Sequence, residues 1–358
     1  MVGAMVNRDG NGWTSCSRGH RHWGRFGAAG LLAYTPGLGW TGRTGRIDRA
    51  GASLAAPSAP AEGGGRGGER GPGGERGPGA EGGPGAEACV LLQRRSWWGN
   101  HGGAWGPPGG ARDSHESAVT AALREAEEEC AMPADAVSVG GILLDDHGGW
   151  SYQTVIASAP RPFPVRPASS ETSRAAWVAA CDVSALDLHP GFAENWPLLR
   201  ETLLPLTVIV DGANVMGSRP DGWWRDRAGA ARRLRDQLTG LAADGVASLP
   251  DSMDAPALER WFPDIVLVVE GAARSVAAAH AAGSPGSDRS GAPGGESAAG
   301  GERVRVVAAP GSGDDTIAAV ARELEGRRLV VTADRQLRER CVAAGASVTG
   351  PRWLLGQL

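Results

Sequence analysis

Four apolar runs in the second half of the chain constrain its fold more than any other feature of the sequence. A strand that is apolar along its whole length must be covered on both faces, and alternation with helices is typical of a parallel sheet. The sequence therefore predicts an α/β fold with a parallel sheet from residue 206 onward. The runs are LTVIVDG (206–212), DIVLVVEG (264–271), ERVRVVAA (302–309) and RRLVVTAD (327–334), and the helical segments are 225–243, 314–325 and 335–344.

The first half of the chain mixes strand-like segments with one strongly patterned helix. The segment 116–130 is predicted as a helix that carries Ala118, Ala122 and Ala126 on one side. A length of 358 residues favours two domains, and we expect them at 1–205 and 206–358, both of the α/β class. The strand-like segments are FGAAGLLAY (26–34), CVLLQRR (89–95), SYQTVIAS (151–158) and AAWVAA (175–180).

Two segments rich in glycine are predicted to interrupt these domains as flexible insertions. Residues 61–87 contain 13 Gly and 3 Pro in 27 positions and almost nothing apolar, so they cannot bury enough surface to offset their ordering entropy. With its softer flank the insertion covers 35–87, and a second one covers 282–302. Long insertions in loops are tolerated because the cost of loop closure grows slowly with length.

Charge and cysteine usage exclude several classes of protein. The 36 basic residues are all arginine and face 40 acidic ones, a net charge of −4, which excludes a strongly basic protein that coats nucleic acid. The five cysteines are widely spread without a CxxC pair, so a disulfide framework is not expected and a reducing cytoplasm fits. Cys16, His20 and His22 cluster near the start, but without a second nearby cysteine their spacing does not favour a zinc knuckle.

Membrane insertion and secretion are also not expected from the sequence. Its apolar runs all fall short of the roughly 20 residues that a membrane span needs. The first residues lack the basic-then-apolar order of a signal peptide. We therefore expect a cytoplasmic protein with no membrane partner.

Three glutamates of the predicted helix point to a metal site. Glu125, Glu128 and Glu129 are spaced i, i+3, i+4 and project from one helix face. Clustered carboxylates are a hard-oxygen site that suits Mg²⁺ or Mn²⁺. A solvated glutamate-rich face with Arg124 pairing nearby explains the same spacing, so spacing alone leaves both interpretations open.

The residues around these glutamates resemble a known family signature. Gly110, five residues, Glu116, seven residues and then Arg124-Glu125-Ala126-x-Glu128-Glu129 are similar to the Nudix box. The resemblance implies an α/β/α sandwich with a mixed sheet over residues 20–200. It also implies hydrolysis of a nucleoside diphosphate linked to another group, with divalent cations that neutralise the bridging oxygens and activate the attacking water.

The same resemblance implies roles for individual residues. Glu125, Glu128 and Glu129 would bind Mg²⁺ or Mn²⁺, with Glu128 or Glu129 as the essential ligand. The general base would be Glu128 or a loop acid such as Glu171. The residues Asp145, Asp146 and His147 would line the substrate pocket or form a solvated turn, and the sequence leaves both open.

The remaining positions of the signature concern the geometry of the helix. By resemblance, Arg124 would orient the carboxylates, while Gly110 and Glu116 would shape the loop and brace the helix. One position departs from the family, because Ala131 stands where the box has a glycine. That glycine would cap the helix in the left-handed region, so alanine should cost about 1 kcal/mol of local stability.

Acidic residues recur at the carboxyl ends of the predicted parallel strands in the second half. Ligands of open parallel sheets bind at that edge, and carboxylates that converge there would repel one another unless they shared a cation. Two of the acids also stand at the start of a predicted helix, and acids at such positions can serve simply as N-caps, without binding a ligand. The acids are Asp211, Glu270, Asp314, Asp315 and Asp334.

Three short motifs of this half resemble the NYN-type group of PIN-like nucleases. They are VDGANV (210–215), GSGDDTI (311–317) and VTADRQLR (331–338). The resemblance implies a PIN-like α/β/α domain that binds Mg²⁺ or Mn²⁺ and cuts RNA. Its ligands would be Asp211, Asp315 and Asp334, with Asp314 and Glu270 secondary and Asn214 as the polar residue after the first acid.

The same residues argue against other interpretations of the second half. A haloacid-dehalogenase-like phosphatase or a topoisomerase-primase-type site needs Asp-x-Asp, but position 213 is alanine. A dinucleotide-binding unit needs GxGxxG after the first strand, and DGANVMG does not supply it. An adaptor that binds nucleotides or RNA without turnover stays open as an alternative. Trp223 and Trp224 beside arginines could stack bases or form a domain interface.

Overall fold

The computed structural model describes residues 8–37, 87–98, 101–278 and 303–358. Residues 38–86 of the predicted insertion 35–87 and the whole of the predicted insertion 282–302 therefore lie outside the described residues. Within the described ranges, no helix is long and apolar enough to cross a bilayer.

The first half of the chain forms a two-stranded hairpin and seven strands of an eight-stranded mixed sheet, whose eighth strand, β11 (Arg260–Trp261), comes from the second half. The sheet has the order β11-β7-β8-β3-β4-β5, with β6 beside β3 and β9 beside β4, and only β3 and β8 pair in parallel. The elements are β1 (Trp13–Ser15), β2 (Arg21–Trp23), β3 (Ala28–Thr35), β4 (Cys89–Arg95), β5 (Trp105–Gly106), β6 (Gly109–Ala111), α1 (Ala118–Cys130), β7 (Ser138–Asp146), β8 (Ser151–Ser158), β9 (Thr172–Ala179) and α2 (Pro190–Glu201).

The second half forms a five-stranded sheet in which every pairing is parallel. The strand order is β13-β12-β10-β14-β15, so the chain leaves the central strand β10 first in one direction and then in the other. The elements are β10 (Leu206–Asp211), α3 (Gly212–Gly217), α4 (Arg227–Asp244), β11 (Arg260–Trp261), β12 (Asp264–Val269), β13 (Val304–Ala308), α5 (Gly313–Glu323), β14 (Arg327–Val331), α6 (Arg335–Ala343), β15 (Ser347–Thr349) and α7 (Pro351–Leu355).

Both sheets are covered on both faces, as the apolar runs predict. All eight residues of β3 are buried, and because side chains alternate along a strand, Leu31 packs with α1 while Leu32 packs on the opposite side. In β10, Val208 and Ile209 likewise belong to different core clusters. The predicted α/β class, with a mixed sheet followed by a parallel one, is therefore confirmed.

The two halves are joined through a strand as well as through the chain. The short strand β11 belongs to the second half, yet it pairs antiparallel with β7 of the first sheet. A side chain at Gly141 would place its Cβ 2.6 Å from Leu258 Cδ1, so glycine allows this close approach. Arg303 donates to the carbonyl oxygen of Val139 at 2.7 Å and adds a second connection.

Helix α1 has a well-defined start and a strained end. Ser117 caps its N-terminus by accepting a hydrogen bond from the Thr120 amide at 3.1 Å. Ala131 follows its C-terminus with φ of 55°, in the left-handed region, and the Met132 amide donates to the Ala126 carbonyl oxygen at 3.3 Å. This confirms the predicted left-handed cap, in which alanine replaces the usual glycine.

Replacing the capping alanine by glycine should stabilise the protein. Ala131→Gly removes the Cβ crowding of the left-handed region, worth about 1–2 kcal/mol, but glycine makes the unfolded chain more flexible, which offsets about 0.4–1 kcal/mol of that gain. We expect a net gain of roughly 0.5–1 kcal/mol in the free energy of unfolding, measured by urea denaturation.

Ala136→Gly is the matched control for this change. Ala136 does not have a positive φ, so glycine relieves no strain there and only makes the unfolded chain more flexible. The control should therefore leave the free energy of unfolding unchanged or lower it. An unchanged or lower stability of Ala131→Gly would contradict the expectation.

Candidate functional site

The loop before α1 contacts the helix at Gly110, where any side chain would have to displace the Glu125 carboxylate. Gly109 and Gly110 lie in β6, which pairs with β3. A Cβ at Gly110 would lie 2.7 Å from the carboxylate carbon of Glu125. Glycine at this position therefore lets the Glu125 carboxylate lie directly against the backbone of the sheet, as the family resemblance implied for a loop-shaping residue.

Arg124 holds the acidic residues of this region in fixed positions. Its guanidinium donates to both oxygens of Glu116, at 2.7 and 2.9 Å, and to Glu125 Oε1 at 2.7 Å. A further hydrogen bond reaches the Ala111 carbonyl oxygen at 3.1 Å, and Glu128 Oε2 lies 3.6 Å away. These hydrogen bonds from Arg124 lower the pKa of Glu116. The predicted helix brace is thus a charged, multiply hydrogen-bonded contact.

Glu129 is the most deeply buried of the three helix glutamates, with 6% of its surface exposed. Its Oε2 accepts hydrogen bonds from the Gly109 amide at 2.8 Å and from Gln93 Nε2 at 2.6 Å. The pKa of Glu129 is raised to about 8, chiefly by burial and also by the nearby charges of Glu125 and Glu171, while the Gly109 hydrogen bond acts in the opposite direction. The two hydrogen bonds therefore fix the orientation of the Glu129 carboxylate, but they only partly offset the cost of ionising it in a buried position.

Gln93 and Thr172 form a supporting pair that sequence analysis missed. Both side chains are buried, and the Thr172 hydroxyl donates to Gln93 Oε1 while Gln93 donates to Glu129. Gln93 is the one polar residue in the otherwise apolar start of CVLLQRR. A polar side chain on the inner face of a buried strand was the signal that could have identified it.

Glu128 lies in different surroundings from its two neighbours on the helix. Its side chain is partly exposed and forms ion pairs with Arg8 and, more loosely, with Arg124. Glu171, the other acid considered as a base, is exposed. The carboxylates of Glu128 and Glu171 are thus accessible to solvent, whereas Glu129 is enclosed.

The donor set of this region fits a hard divalent cation. All three candidate ligands are carboxylates, and burial raises the pKa of both Glu125 and Glu129. Buried like charges of this kind are stabilised by a shared cation. The three carboxylates do not all lie within 4.8 Å of one another in the structure.

Asp145 and Asp146 are the last residues of β7, and His147 begins the turn that joins β7 and β8. Asp146 Oδ1 accepts from the Gly148 amide at 2.8 Å, which is a turn-forming contact. Asp145 Oδ1 lies 3.2 Å from His147 Nε2. The structure brings His147 next to the N-terminal cluster of Cys16, His20 and His22, a proximity that the sequence does not reveal.

The second half carries a cleft of about 520 Å³ at the carboxyl ends of its parallel strands. It lies where the chain reverses direction around β10, which is the edge where open parallel sheets bind ligands. Four of the five predicted acids line it. They are Asp211, Glu270, Asp314 and Asp334.

Asp211 is the best enclosed acid of this cleft. Its Oδ1 accepts from the Asn214 amide at 3.0 Å, and the Thr332 hydroxyl donates to its Oδ2 at 2.8 Å. Burial raises the pKa of Asp211, and the charges of Asp314 and Glu270 raise it further. Thr332 was not singled out in the sequence, although it lies only two residues before Asp334.

Of the neighbouring acids Asp314 and Asp315, the structure places in the cleft the one that the resemblance made secondary. Asp314 lines the cleft, whereas Asp315 is exposed and pairs with Arg340 at 2.7 Å. Consecutive residues of a helix point about 100° apart, so only one of the two can face the cleft. Placing Asp315 among the principal ligands is therefore a prediction that this arrangement does not favour.

The remaining acids and the tryptophan pair have local structural roles as well. Glu270 Oε2 accepts from the Gly313 amide at 2.9 Å, and Asp334 caps α6 by accepting from the Leu337 amide at 2.7 Å. Trp223 packs against the main core with Arg227 over its ring at 5.4 Å, while Trp224 is 58% exposed. Of the two tryptophans, Trp224 is the one whose ring is exposed to solvent.

A mixed sheet with a glutamate-bearing helix against a glycine turn defines the first half as a Nudix-type domain, and comparison with known proteins agrees. The NUDIX domain model matches residues 81–201. "Putative 8-oxo-dGTP diphosphatase 3" of Mycobacterium tuberculosis is 34% identical over 210 residues, which cover 57% of this chain and 74% of that protein. The chain therefore belongs to the Nudix hydrolase family.

Two further proteins are similar to parts of this chain. The "Nucleoside triphosphate pyrophosphatase/Nudix hydrolase fusion protein" of Bifidobacterium longum is 29% identical over 194 residues, 54% of this chain and 31% of that protein. The crystal structure of a Nudix hydrolase from M. smegmatis, RenU, is 34% identical, covers 54% of this chain and 94% of that chain, and has a TM-score of 0.39.

A side chain at Gly110 should disturb the site without unfolding the domain. Gly110→Ala places a Cβ against the Glu125 carboxylate, which must then move away from its position beside Arg124. We expect binding of Mg²⁺, measured by calorimetry on the full chain, to weaken by about 10–100-fold, the range found when groups that orient metal ligands are lost.

The matched control for this change is Gly106→Ala. A Cβ at Gly106 would meet its nearest neighbour, His189 Cβ, at an ordinary 3.7 Å. This variant should bind Mg²⁺ as the unaltered chain does. Equal affinities for both variants would show that the contact with Glu125 is unimportant.

Proposed function

We propose that the first half hydrolyses the diphosphate link of a nucleotide-like substrate with Mg²⁺ or Mn²⁺ held by Glu125, Glu128 and Glu129. The observation that carries this proposal is the enclosed carboxylate of Glu129, which is aimed by Gly109 and Gln93 and has a pKa raised by burial. A surface-exposed glutamate face would need none of this support. The interpretation as a solvated helix face is therefore disfavoured.

In such a site, different residues would bind the cation, orient its ligands and accept the proton of the attacking water. A bound cation would neutralise the diphosphate oxygens and lower the pKa of the attacking water. Arg124 fixes Glu125 relative to the helix, and Gln93 fixes Glu129 relative to the sheet. The solvent-accessible carboxylates of Glu128 and Glu171 are the two candidates for accepting the proton of the attacking water.

The substrate class follows from the family and from one relative. Nudix substrates are nucleotide-like diphosphates, and the name of the M. tuberculosis relative refers to 8-oxo-dGTP. We therefore propose that an oxidised nucleoside triphosphate is the first compound to test. A panel with dGTP, 8-oxo-dGTP, ADP-ribose and a dinucleoside polyphosphate separates this class from other diphosphate links.

Replacing the enclosed glutamate should abolish hydrolysis while leaving the fold intact. Glu129→Gln keeps the shape and can keep both hydrogen bonds but removes the charge, so kcat/KM on the best panel substrate should fall by roughly 10²–10³-fold, the equivalent of several kcal/mol. Because the buried charge is lost, the metal-free variant should melt at the same or a higher temperature.

Glu127→Gln is the matched control for this measurement. Glu127 is exposed on the same helix and its side chain takes no part in the contacts of the site described above. Its kcat/KM should equal that of the unaltered chain. Retained hydrolysis in Glu129→Gln, or no hydrolysis product (such as a nucleoside monophosphate) from any compound of the panel with the unaltered chain, would refute the proposed activity.

We further propose that the cleft of the second half is a PIN-like, metal-dependent ribonuclease site. Its support is the meeting of Asp211, Glu270, Asp314 and Asp334 in one cleft, with the pKa values of Asp211 and Asp314 raised by burial and by their acidic neighbours. The four carboxylates suit Mg²⁺ or Mn²⁺. We take Asp211, Asp314 and Asp334 as the principal ligands.

Loss of one cleft acid should stop cleavage of RNA. Asp211→Asn keeps the N-cap of α3, since asparagine also caps helices well, but removes a charge from the cleft. We expect cleavage of a labelled single-stranded RNA with Mn²⁺ to fall by at least about 10²-fold. Asp236→Asn, on the exposed face of α4, should cleave normally.

A comparison of the two neighbouring acids refines this test. Asp314→Asn should reduce cleavage far more than Asp315→Asn, because Asp315 pairs with Arg340 outside the cleft. Equal cleavage by the unaltered chain and Asp211→Asn would exclude a nuclease at this cleft. Metal binding without product in both assays would favour the adaptor that binds nucleotides or RNA without turnover.

We also propose a domain division at 205/206, with the qualification that the two units are joined through β11. That strand comes from the second unit and completes the sheet of the first. The first unit without residues 260–261 would lack this strand, so the full chain is the form in which both sites are to be tested.

A further inference from the structure

A cluster of one cysteine and three histidines lies apart from both acidic sites. Ligand atoms of Cys16, His20, His22 and His147 lie within 4.8 Å of one another. The Nε2 atom of His22 is 3.3 Å from the Cys16 sulfur. Three of these residues come from the N-terminal hairpin and the fourth from the turn between β7 and β8, so the fold and not local spacing assembles the cluster.

Backbone hydrogen bonds hold the two segments in register at this point. In the hairpin, the Cys16 amide donates to the His20 carbonyl oxygen at 3.0 Å, and the Gly19 amide donates to the Cys16 carbonyl oxygen at 3.1 Å. Ser17 then bonds to the β7–β8 turn, through its amide to the Gly148 carbonyl oxygen at 2.8 Å and through its hydroxyl to that of His147 at 2.9 Å. The four side chains are thus carried by a defined backbone frame.

His147 has the environment of a metal-binding histidine. Its buried Nδ1 has no hydrogen-bond partner among the residues that the structure describes. Its Nε2 lies 3.2 Å from Asp145 Oδ1, and the other oxygen of Asp145 accepts from Asn195 at 3.3 Å. Metal-ligating histidines usually donate their second nitrogen to a carboxylate, which leaves the first one for the metal.

His22 is oriented by aromatic contacts in the same way. Its ring stacks on Trp150 with centroids 4.0 Å apart, and it meets the ring of His147 edge-on at 4.7 Å.

We propose that Cys16, His20, His22 and His147 bind one Zn²⁺ ion, which fastens the N-terminal hairpin to the turn between β7 and β8. One sulfur and three nitrogens are a ligand set that tetrahedral Zn²⁺ favours and that Mg²⁺ avoids. Zn–S and Zn–N bonds at tetrahedral angles place sulfur and nitrogen about 3.6 Å apart, so the 3.3 Å between Cys16 and His22 needs little adjustment.

The second compact group of potential ligands does not support a comparable proposal. Asp9, Asp113 and His115 also lie within 4.8 Å of one another. However, Asp9 already accepts two hydrogen bonds from Ser114, and Asp113 accepts one from the Gly10 amide. These carboxylates serve the loop itself.

A zinc ion would supply stability that the hairpin lacks. Strands β1 and β2 have three residues each, and an isolated two-stranded hairpin is marginally stable in water. Just before it, the Gly10 amide bonds to Asp113 and Arg8 pairs with Glu128. The ion would therefore also order the segment that reaches the glutamate-bearing helix.

The test begins with the metal content of the full chain, purified without a polyhistidine tag. Mass spectrometry of the metal should find about one zinc per chain. Cys16→Ser and His147→Ala should each reduce this to background, whereas Cys181→Ser, which alters an exposed cysteine, should not. Asp145→Asn should weaken zinc affinity by about 10–100-fold, as expected for a residue that orients a ligand.

Two measurements on the unaltered chain keep the test decisive if a variant fails to fold. Co²⁺ in place of zinc should give the visible bands of a tetrahedral site and a thiolate charge-transfer band. Alkylation followed by peptide mapping should modify Cys16 faster after a strong chelator is added, while Cys181 reacts equally with and without it. Absence of zinc in the unaltered chain together with no thiolate–Co²⁺ band, or full zinc content in Cys16→Ser, would overturn the proposal.

Discussion

The close approach of α1 to one face of the first sheet is the constraint on which the Nudix site depends. Alanines on the inner side of the helix and the glycine turn of β6 permit this approach, and Arg124 connects the two surfaces by donating to the Ala111 carbonyl oxygen of β6. Without that contact, Glu125 and Glu129 would lie in solvent with ordinary acidity. The site is therefore a property of helix packing as much as of the residues that it presents.

Both acidic sites bury several carboxylates close together, but different elements of the fold bring these carboxylates into position. In the first, carboxylates one helical turn apart are forced into the protein by packing against a sheet. In the second, carboxylates from separate strands meet because parallel strands end at one edge. Both arrangements cost free energy in the absence of a cation, since burial and like charges disfavour the ionised form. Such perturbed carboxylates are typical of functional sites.

The sequence predicts the elements whose burial is continuous and misses those that depend on tertiary contacts. The strand segments 89–95 and 151–158 coincide with β4 and β8, because apolar residues dominate their buried stretches. Strand β7 contains two glycines and ends in two aspartates, which conceals it, and α2 contains Pro197 in its interior. The approach of His147 to Cys16 could not be predicted, since it requires the register of β7 with β8 and the docking of the hairpin.

The pairing of β11 with β7 sets the order in which the protein can be completed during synthesis. Strand β7 lies next to the sheet edge, and its outer hydrogen-bonding groups near Gly141 are covered by residues 260–261. While the ribosome is still translating the intervening segment, a nascent first half would carry an open strand edge, the kind of surface that pairs with other chains. The first sheet therefore gains its last strand only after residues 260–261 have been synthesised, which ties its completion to the second half of the same polypeptide.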